Sequence, residues 1–229
     1  MANCKKSEAF TLLLFTTVKR MRDLSTGEDV ELESEKTAEV AAVKIEKGQI
    51  AKHFSSFIAL ENYDMQGLEF TDLNFNLNGI GAEHLIGAPS LREVAEKIKA
   101  FVGEDTVIVK GDGERKSHPY RIFMDGAKRC GVEFENPTVD IDRIYDAMRL
   151  RNLLDDEGKK FEDATPIEIA RTLAPVYDNW TDIFLYNDVY FDPSDGAYMR
   201  ARNDLLSWAL AFAKFFIKIV DWDDDASAC

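Results

Sequence analysis

The sequence is poor in the residues that build metal-thiolate centres, redox sites and disulfide scaffolds. It has 229 residues, of which three are cysteines and three are histidines. Cys4, Cys130 and Cys229 have neither metal-ligand nor redox spacing. An odd number of cysteines, two of them close to the chain ends, is typical of free thiols in a reducing compartment. We therefore expect a cytoplasmic protein.

Long apolar runs and flexible linkers are also missing from the sequence. Leu205–Val220 is interrupted by Lys214 and Lys218 and is too short and too polar to span a bilayer. No small-residue cleavage site follows the apolar stretch Phe10–Val18, so we predict no signal peptide. Because no segment rich in Pro, Gly and Ser divides the chain, we predict one domain over residues 1–229, with a folded core at 8–218 and an acidic tail at 219–229.

Basic residues are in the minority, with 28 Lys and Arg against 42 Asp and Glu and a formal net charge of −14. Binding to nucleic acid depends on basic side chains that neutralise phosphates, so this balance favours a protein without a polyanionic partner. Hydrophobic residues, by contrast, make up 45% of the chain. That proportion is sufficient for one well-packed core.

Hydrophobic patterning predicts an α/β fold with a mixed sheet that opens on antiparallel strands and is flanked by helices. The predicted strands are Phe10–Val18, Glu39–Ile45, Gln49–Ile58, Thr106–Val109 and Pro137–Val139, with a turn at Lys47–Gly48 and a polar loop from about Arg20 to Lys36. The predicted helices run from Ser90 to about Val102, over Pro119–Cys130, Asp140–Leu154 and Pro166–Ala174, and from about Ala197 to Ile219. Ser90 with Glu93 forms a capping box, and Gly131 ends the second of these helices.

Three stretches then resemble the DnaQ-like (DEDDh) 3′–5′ exonucleases, a family with an RNase H-like fold. Glu39–Phe57 resembles the family's second and third strands, Leu77–Ser90 resembles the loop before its second helix, and Asn136–Asp140 resembles a later "NP-V-D" segment. The match in order and spacing extends from about Phe10 to Phe215. The resemblance implies the family's fold over almost the whole chain.

The family's reaction needs four carboxylates and a histidine. The carboxylates hold two divalent metal ions about 4 Å apart, one to activate water and one to stabilise the leaving oxygen. The histidine is the general base toward that water. Magnesium and manganese require oxygen ligands, which apolar side chains do not provide.

The first family motif, "D-x-E-T-T", aligns with the opening strand. The retained pair Thr16 and Thr17 fixes the alignment, so Leu13 stands at the Asp position and Phe15 at the Glu position. Side chains two residues apart point to the same face of a strand. The spacing that brings two carboxylates together in the family therefore brings two hydrophobic residues together here.

The other two motifs are altered as well. Alignment of Lys128–Gly131 with the family's "KRLG" places Pro119 at the third carboxylate. The final "H-x-x-x-x-D" motif keeps its acid as Asp204 but has Met199 instead of the histidine. Asp204 by itself would bind a cation only weakly, and a helix acid near the positive end of the helix dipole is the simpler role.

These replacements predict a catalytically degenerate exonuclease-like domain, a pseudo-exonuclease, with a binding or scaffolding role and no cofactor. The enzymatic alternative is an active 3′–5′ exonuclease with a relocated magnesium or manganese site. Its ligands would come from Asp112, Glu114, Asp140 or Asp142, and Asp204.

Two kinds of partner are open for such a domain. The basic residues around the position of the family's active site would bind single-stranded nucleic acid or neutralise nearby acids: Lys110, Arg115, Lys116, Arg121, Arg200 and Arg202. The aromatic segment Trp180–Phe191, with Tyr186 and Tyr190, would form a protein-partner or homodimer surface if it is exposed, or a hairpin on the domain's own core if it is not. No membrane partner is expected.

Overall fold

A mixed β-sheet lies at the centre of the structure, a computed structural model that describes residues 4–5, 9–60, 63, 65–70, 82–110, 118–140, 205–219 and 222–223. Its strands are β1 (Cys4–Lys5), β2 (Ala9–Asp23), β3 (Asp29–Glu46), β4 (Gln49–Phe57), β5 (Leu68–Phe70), β6 (Thr106–Val109), β7 (Thr138–Asp140) and β8 (Trp222–Asp223). The helices are α1 (Leu91–Val102), α2 (Pro119–Arg129) and α3 (Leu205–Ile219), and a 3-10 turn covers Ala82–His84.

The main sheet has the strand order β4-β3-β2-β6-β7. β2 and β4 are antiparallel to β3, whereas β6 is parallel to β2 and β7 is parallel to β6. β5 pairs with the far end of β2, and β1 and β8 form a separate parallel pair. The predicted fold class, a mixed sheet with antiparallel opening strands and flanking helices, is confirmed.

β2 is buried on both faces along its first half. Phe10, Leu12 and Leu14 pack with α3 on one face of the sheet. Leu13 and the partly buried Phe15 face α1 and α2 on the other. The unbroken apolar run at the start of the chain reflects this burial on two sides.

The first two helices begin and end where local signals predict. At the start of α1, Ser90 accepts a hydrogen bond from the Glu93 backbone N–H, and the Glu93 carboxylate accepts one from the Ser90 N–H at 2.8 Å. The hydrogen bonds that the Glu93 carboxylate accepts from the Ser90 N–H and the Ser90 hydroxyl lower the pKa of Glu93. Gly131 follows the end of α2 and has a φ of 82°, a conformation that favours glycine.

The prediction of a loop from about Arg20 to Lys36 was wrong, because β2 continues to Asp23 and β3 already begins at Asp29. The charged residues of this segment lie on an exposed face of a long hairpin, where they pair across the strands. Lys19 lies 3.1 Å from Glu31, and Arg22 lies 3.2 Å from Asp29. A solvated strand face thus has the composition of a loop.

The other face of this hairpin covers a second, smaller core. Met21 and Leu32 are buried there, together with Leu60, Met65 and Leu85 from later in the chain. Distant residues therefore keep the hairpin extended.

Several predicted elements lie outside the described residues. They are the loop around residues 78–81, the helices predicted over 140–154 and 166–174, and the first turns of the last helix, of which α3 is the described part. The domain boundaries stay a prediction. Within the part of the chain that the structure describes, every helix is too short or too polar to cross a bilayer.

Candidate functional site

Leu13 and Phe15, the residues at the first two carboxylate positions of the exonuclease motif, lie on the face of β2 that α2 covers. Leu13 is 1% exposed and pairs across the sheet with Ala42, while Phe15 pairs with Val40. All four belong to one apolar cluster that includes residues from α1 and α2. Among the described residues, the side chains of this cluster are hydrocarbon and offer no oxygen ligand to a metal ion, apart from the Tyr120 hydroxyl.

An aromatic cluster, formed by Phe15, Tyr120, Phe123 and Phe134, fills the space between β2 and the first turns of α2. The rings of Phe15 and Phe123 stack with 4.7 Å between their centroids and an angle of 28° between their planes. Tyr120 lies 6.2 Å from Phe15, and Phe134 lies 6.1 Å from Phe123. Burial in this cluster raises the pKa of the Tyr120 hydroxyl, although the charge of Arg121 opposes the shift.

Pro119, at the third carboxylate position, is the first residue of α2, and His118 is its N-cap. The Nδ1 atom of His118 accepts a hydrogen bond from the Tyr120 N–H at 3.2 Å. Its Nε2 atom therefore carries the proton and donates to the carbonyl oxygen of Lys110 at 2.5 Å. The Nδ1 atom thus caps α2 and the Nε2 atom joins the helix to the residue after β6, so His118 performs a structural task here.

The remaining candidates are only partly described. Outside the described residues lie Asp112, Glu114, Arg115, Lys116, Asp142, Met199, Arg200, Arg202, Asp204 and the segment 180–191. Lys110 is half-buried, with its Nζ 5.9 Å from the centroid of the Phe212 ring, and Arg121 is exposed on α2. Asp140 is the last residue of β7 and is half-buried. Within the described ranges, no three His, Cys, Asp or Glu side chains come together in a way that could hold a metal ion.

A buried polar group on the central strands was not anticipated from the sequence. The Thr11 hydroxyl donates to Asp105 Oδ2 at 2.6 Å, and Lys44 Nζ lies 3.0 Å from the same oxygen. Asp105 is 7% exposed, so this carboxylate is held by a hydroxyl and an ammonium group in the interior. The group joins β2, β3 and the start of β6. The only sequence signal for it is a Thr and a Lys inside otherwise apolar strands.

A cavity of about 170 Å³ lies on the side of the sheet that α1 and α2 cover, and it extends along α2 from Ile122 to Cys130. Its walls come from β3, from the segment after β4, and from the facing sides of α1 and α2. Gly126 brings the two helices close, because a Cβ atom at this position would lie 2.8 Å from Leu91 Cδ2. An isolated glycine inside a helix is the one sequence signal that marks this contact.

Comparisons with known proteins show similarity at the level of structure only. No family model matches the sequence, and no curated protein matches it. Among solved structures, cell-death related nuclease 4 aligns with a TM-score of 0.53 and 11% identity over 95% of this chain and 66% of that one. A full-length 3′-exonuclease aligns with a TM-score of 0.50 and 12% identity over 93% of this chain and 81% of that one. The predicted resemblance is therefore confirmed for the fold: this chain has the fold of the 3′-exonucleases.

Proposed function

We propose that this chain is an exonuclease-like domain that has lost the nuclease reaction and acts as a binding or scaffolding module. The observation that carries the proposal is the stack of Phe15 on Phe123, because Phe15 aligns with a carboxylate of the family motif and its ring packs against another ring. Leu13, at the other strand position of that motif, is buried beside it.

The chemistry of the replacements supports this proposal. A two-metal reaction requires several oxygen ligands in a fixed arrangement, and loss of two adjacent ligands removes most of the charge that retains the ions. Apolar side chains at the same positions instead pack against each other, which stabilises the fold. The exchange of charge for packing is the change expected when catalysis is no longer needed.

Calorimetric titration of the full chain with Mn²⁺ and Mg²⁺, together with digestion of labelled single-stranded DNA and short RNA, tests the proposal. We expect no saturable binding in the micromolar range and no digestion with either metal. An Asp204→Ala variant, which removes the acid retained in the last motif, should behave like the wild type in both assays. Digestion by the wild type that this variant abolishes would contradict the proposal.

An active nuclease with a relocated site is the competing function, and Asp140 is its one described ligand candidate. The residue ends β7 next to Val109 of β6, at the edge of the sheet from which the second family motif departs. Metal-dependent digestion that Asp140→Asn abolishes would support this alternative. If the wild type and Asp140→Asn both digest no more than a protein-free blank, the result would support the inactive domain.

The fold makes a single-stranded nucleic acid the first binding partner to test, with Arg121, an exposed basic residue in the first turn of α2, as the candidate contact. Arg121→Gln should weaken binding of a labelled single strand and reduce the slope of log K against log salt by about 0.7 if one phosphate contact is lost. Arg92→Gln on α1 is the matched control, since Arg92 is an exposed arginine paired with Glu96 at 3.2 Å. Equal binding by all three proteins, without a salt dependence, would exclude this role for Arg121.

A protein partner and a reducing, cytoplasmic location complete the proposal. Cys130 is a free thiol, which fits a reducing compartment. Light scattering of the purified chain measures self-association directly. A dimer that Trp180→Ala converts to a monomer would assign the aromatic segment 180–191 to the interface.

A further inference from the structure

The cavity beside α2 combines an apolar wall with polar groups of both charge signs. Ile58, Leu60, Leu91 and Ile122 form the apolar wall. β3 supplies Glu35, Lys36 and Thr37, and the end of α2 supplies Arg129. Ile58 and Leu91 also belong to the apolar cluster that contains Leu13, so the cavity adjoins the aligned motif positions.

A β-bulge directs the polar side chains of β3 toward the cavity. Thr16 pairs with Glu39, but the next residue, Thr17, pairs with Thr37, so Ala38 is an extra residue in β3. Directly opposed residues share a face of the sheet, and Thr17 lies on the same face as Phe15. The extra residue therefore places Thr37 and Glu35 on the α1 and α2 side.

Thr37 presents a buried hydroxyl at this cavity. Its side chain is 6% exposed, and its Oγ1 has no hydrogen-bond partner among the residues that the structure describes. Buried hydroxyl groups in folded proteins almost always have a partner. A bound molecule that supplies this hydrogen bond would explain the position of the hydroxyl.

Charged groups of opposite sign border the same space. Arg129 folds back along α2, with its Nη2 atom 3.8 Å from the position of a Cβ atom on Gly126, and forms no salt bridge with another described residue. Glu35 accepts a short hydrogen bond from the Thr17 hydroxyl through one carboxylate oxygen. Lys36 also lines the cavity. A ligand with an acidic and a cationic group would meet a complementary charge for each.

We propose that this cavity binds a small zwitterion with an apolar body, of the class of an aliphatic α-amino acid. In this arrangement Arg129 binds the carboxylate, Glu35 the ammonium group, and Thr37 completes the contacts, while the hydrocarbon part packs on Ile58 and Leu60. The volume is consistent with a body of that size, because an engineered apolar cavity of about 150 Å³ takes up benzene. The site does not depend on whether the domain has lost its nuclease reaction.

Cys130 provides a reporter, because it lines the cavity and its thiol is free. In the full chain with Cys4→Ser and Cys229→Ser, the rate of Cys130 alkylation by iodoacetamide is measured as a function of added L-leucine. We expect at least fivefold slower alkylation at saturation. 4-Methylpentanoate lacks the amine, isopentylamine lacks the carboxylate and glycine lacks the apolar body, so each should need at least tenfold higher concentration for the same protection.

Thr37→Val and Arg129→Gln should each raise the half-protecting leucine concentration about tenfold or more. Lys128→Gln is the matched control, since Lys128 precedes Arg129 in the last turn of α2 but pairs with Glu133 at 3.4 Å. It should leave protection unchanged. Absence of protection by leucine in the reporter chain, equal protection by adenine, or an equal loss in all three variants would overturn the proposal.

Discussion

Two ends of the same helix contrast in how they meet the sheet. At its start, α2 presses Tyr120 and Phe123 onto Phe15, and the contact is filled by aromatic rings. At its end, Gly126 and Arg129 border an open cavity with charged groups and a buried hydroxyl. The first place holds the residue aligned with a carboxylate of the exonuclease motif, yet only rings meet there among the described residues. The charged groups border the second place instead.

Leu13→Asp, which introduces a carboxylate beside the aromatic cluster, should have the largest effect on stability. Burial among Val40, Ala42 and α2 disfavours the charged form, so the pKa of the new carboxyl should rise above its unfolded value of about 3.9. If this pKa rises to about 7 in the folded state, the free energy of unfolding of the variant is about 4 kcal/mol lower at pH 8 than at a pH below both values. Urea denaturation should therefore show a deficit that is already present at pH 4, because the leucine packing is lost, and that grows by about 4 kcal/mol as the pH rises to 8.

The same variant distinguishes a site filled by apolar side chains from a metal site that lacks only one ligand. With 10 mM Mn²⁺ at pH 8, the stability of Leu13→Asp should not recover, because the neighbouring Phe15 offers no second oxygen. Leu13→Asn, which adds a polar group without a charge, is the control and should show no dependence on pH. Recovery of stability with Mn²⁺ alone would mean that other carboxylates still reach this position.

Truncation of adjacent residues on α2 compares its two sides directly. Phe123→Ala removes a ring that is 0% exposed and should lower the free energy of unfolding by about 3–5 kcal/mol. Ile122→Ala removes a half-exposed side chain from a wall that already borders empty space, so we expect a loss of about 1 kcal/mol. Denaturant titration of both variants gives the difference. Equal losses would show that the cavity side is packed as tightly as the aromatic side.

Local signals predicted the elements that depend on local bonds. The hydrogen bonds between Ser90 and Glu93 span three residues. The continuous apolar run of β2 predicts burial of this strand on both faces. The exonuclease motif likewise assigns Leu13 and Phe15 to one face, since alternation is a property of the strand itself. Features of this kind can be read from a short window of sequence.

The features that sequence could not predict depend on residues far apart in the chain. Thr11 and Asp105 bond across 94 positions, and Met21 is buried by Leu60 and Leu85. The extra residue Ala38 has no sequence signature, because an alanine in a strand looks the same with or without a bulge. Without knowledge of this bulge, simple alternation from Val40 assigns Thr37 to the opposite face, and the cavity beside α2 cannot be foreseen.

Thr37→Val should stabilise the protein modestly and so tests the open end. A buried hydroxyl without a partner costs about 1–3 kcal/mol, and valine has almost the same shape. We expect the free energy of unfolding of the ligand-free protein to rise by about 1 kcal/mol, as measured by urea denaturation. Thr16→Val, a change at another buried threonine of the same sheet region, is the comparison. A loss of stability in Thr37→Val would mean that the hydroxyl is already bonded, for example by water.

Tyr120→Phe should have the smallest effect on stability, confined to alkaline pH. It tests whether water reaches the aromatic cluster. Burial raises the pKa of Tyr120 in the folded state, with Arg121 opposing the shift. Above the unfolded value of about 10, the unfolded chain therefore releases a proton that the folded chain still holds. The stability of the wild type should fall relative to Tyr120→Phe as the pH rises through this range, and the two should run parallel below pH 9. Parallel curves up to pH 11 would indicate that water reaches the Tyr120 hydroxyl, and the aromatic cluster would then leave room beside Phe15.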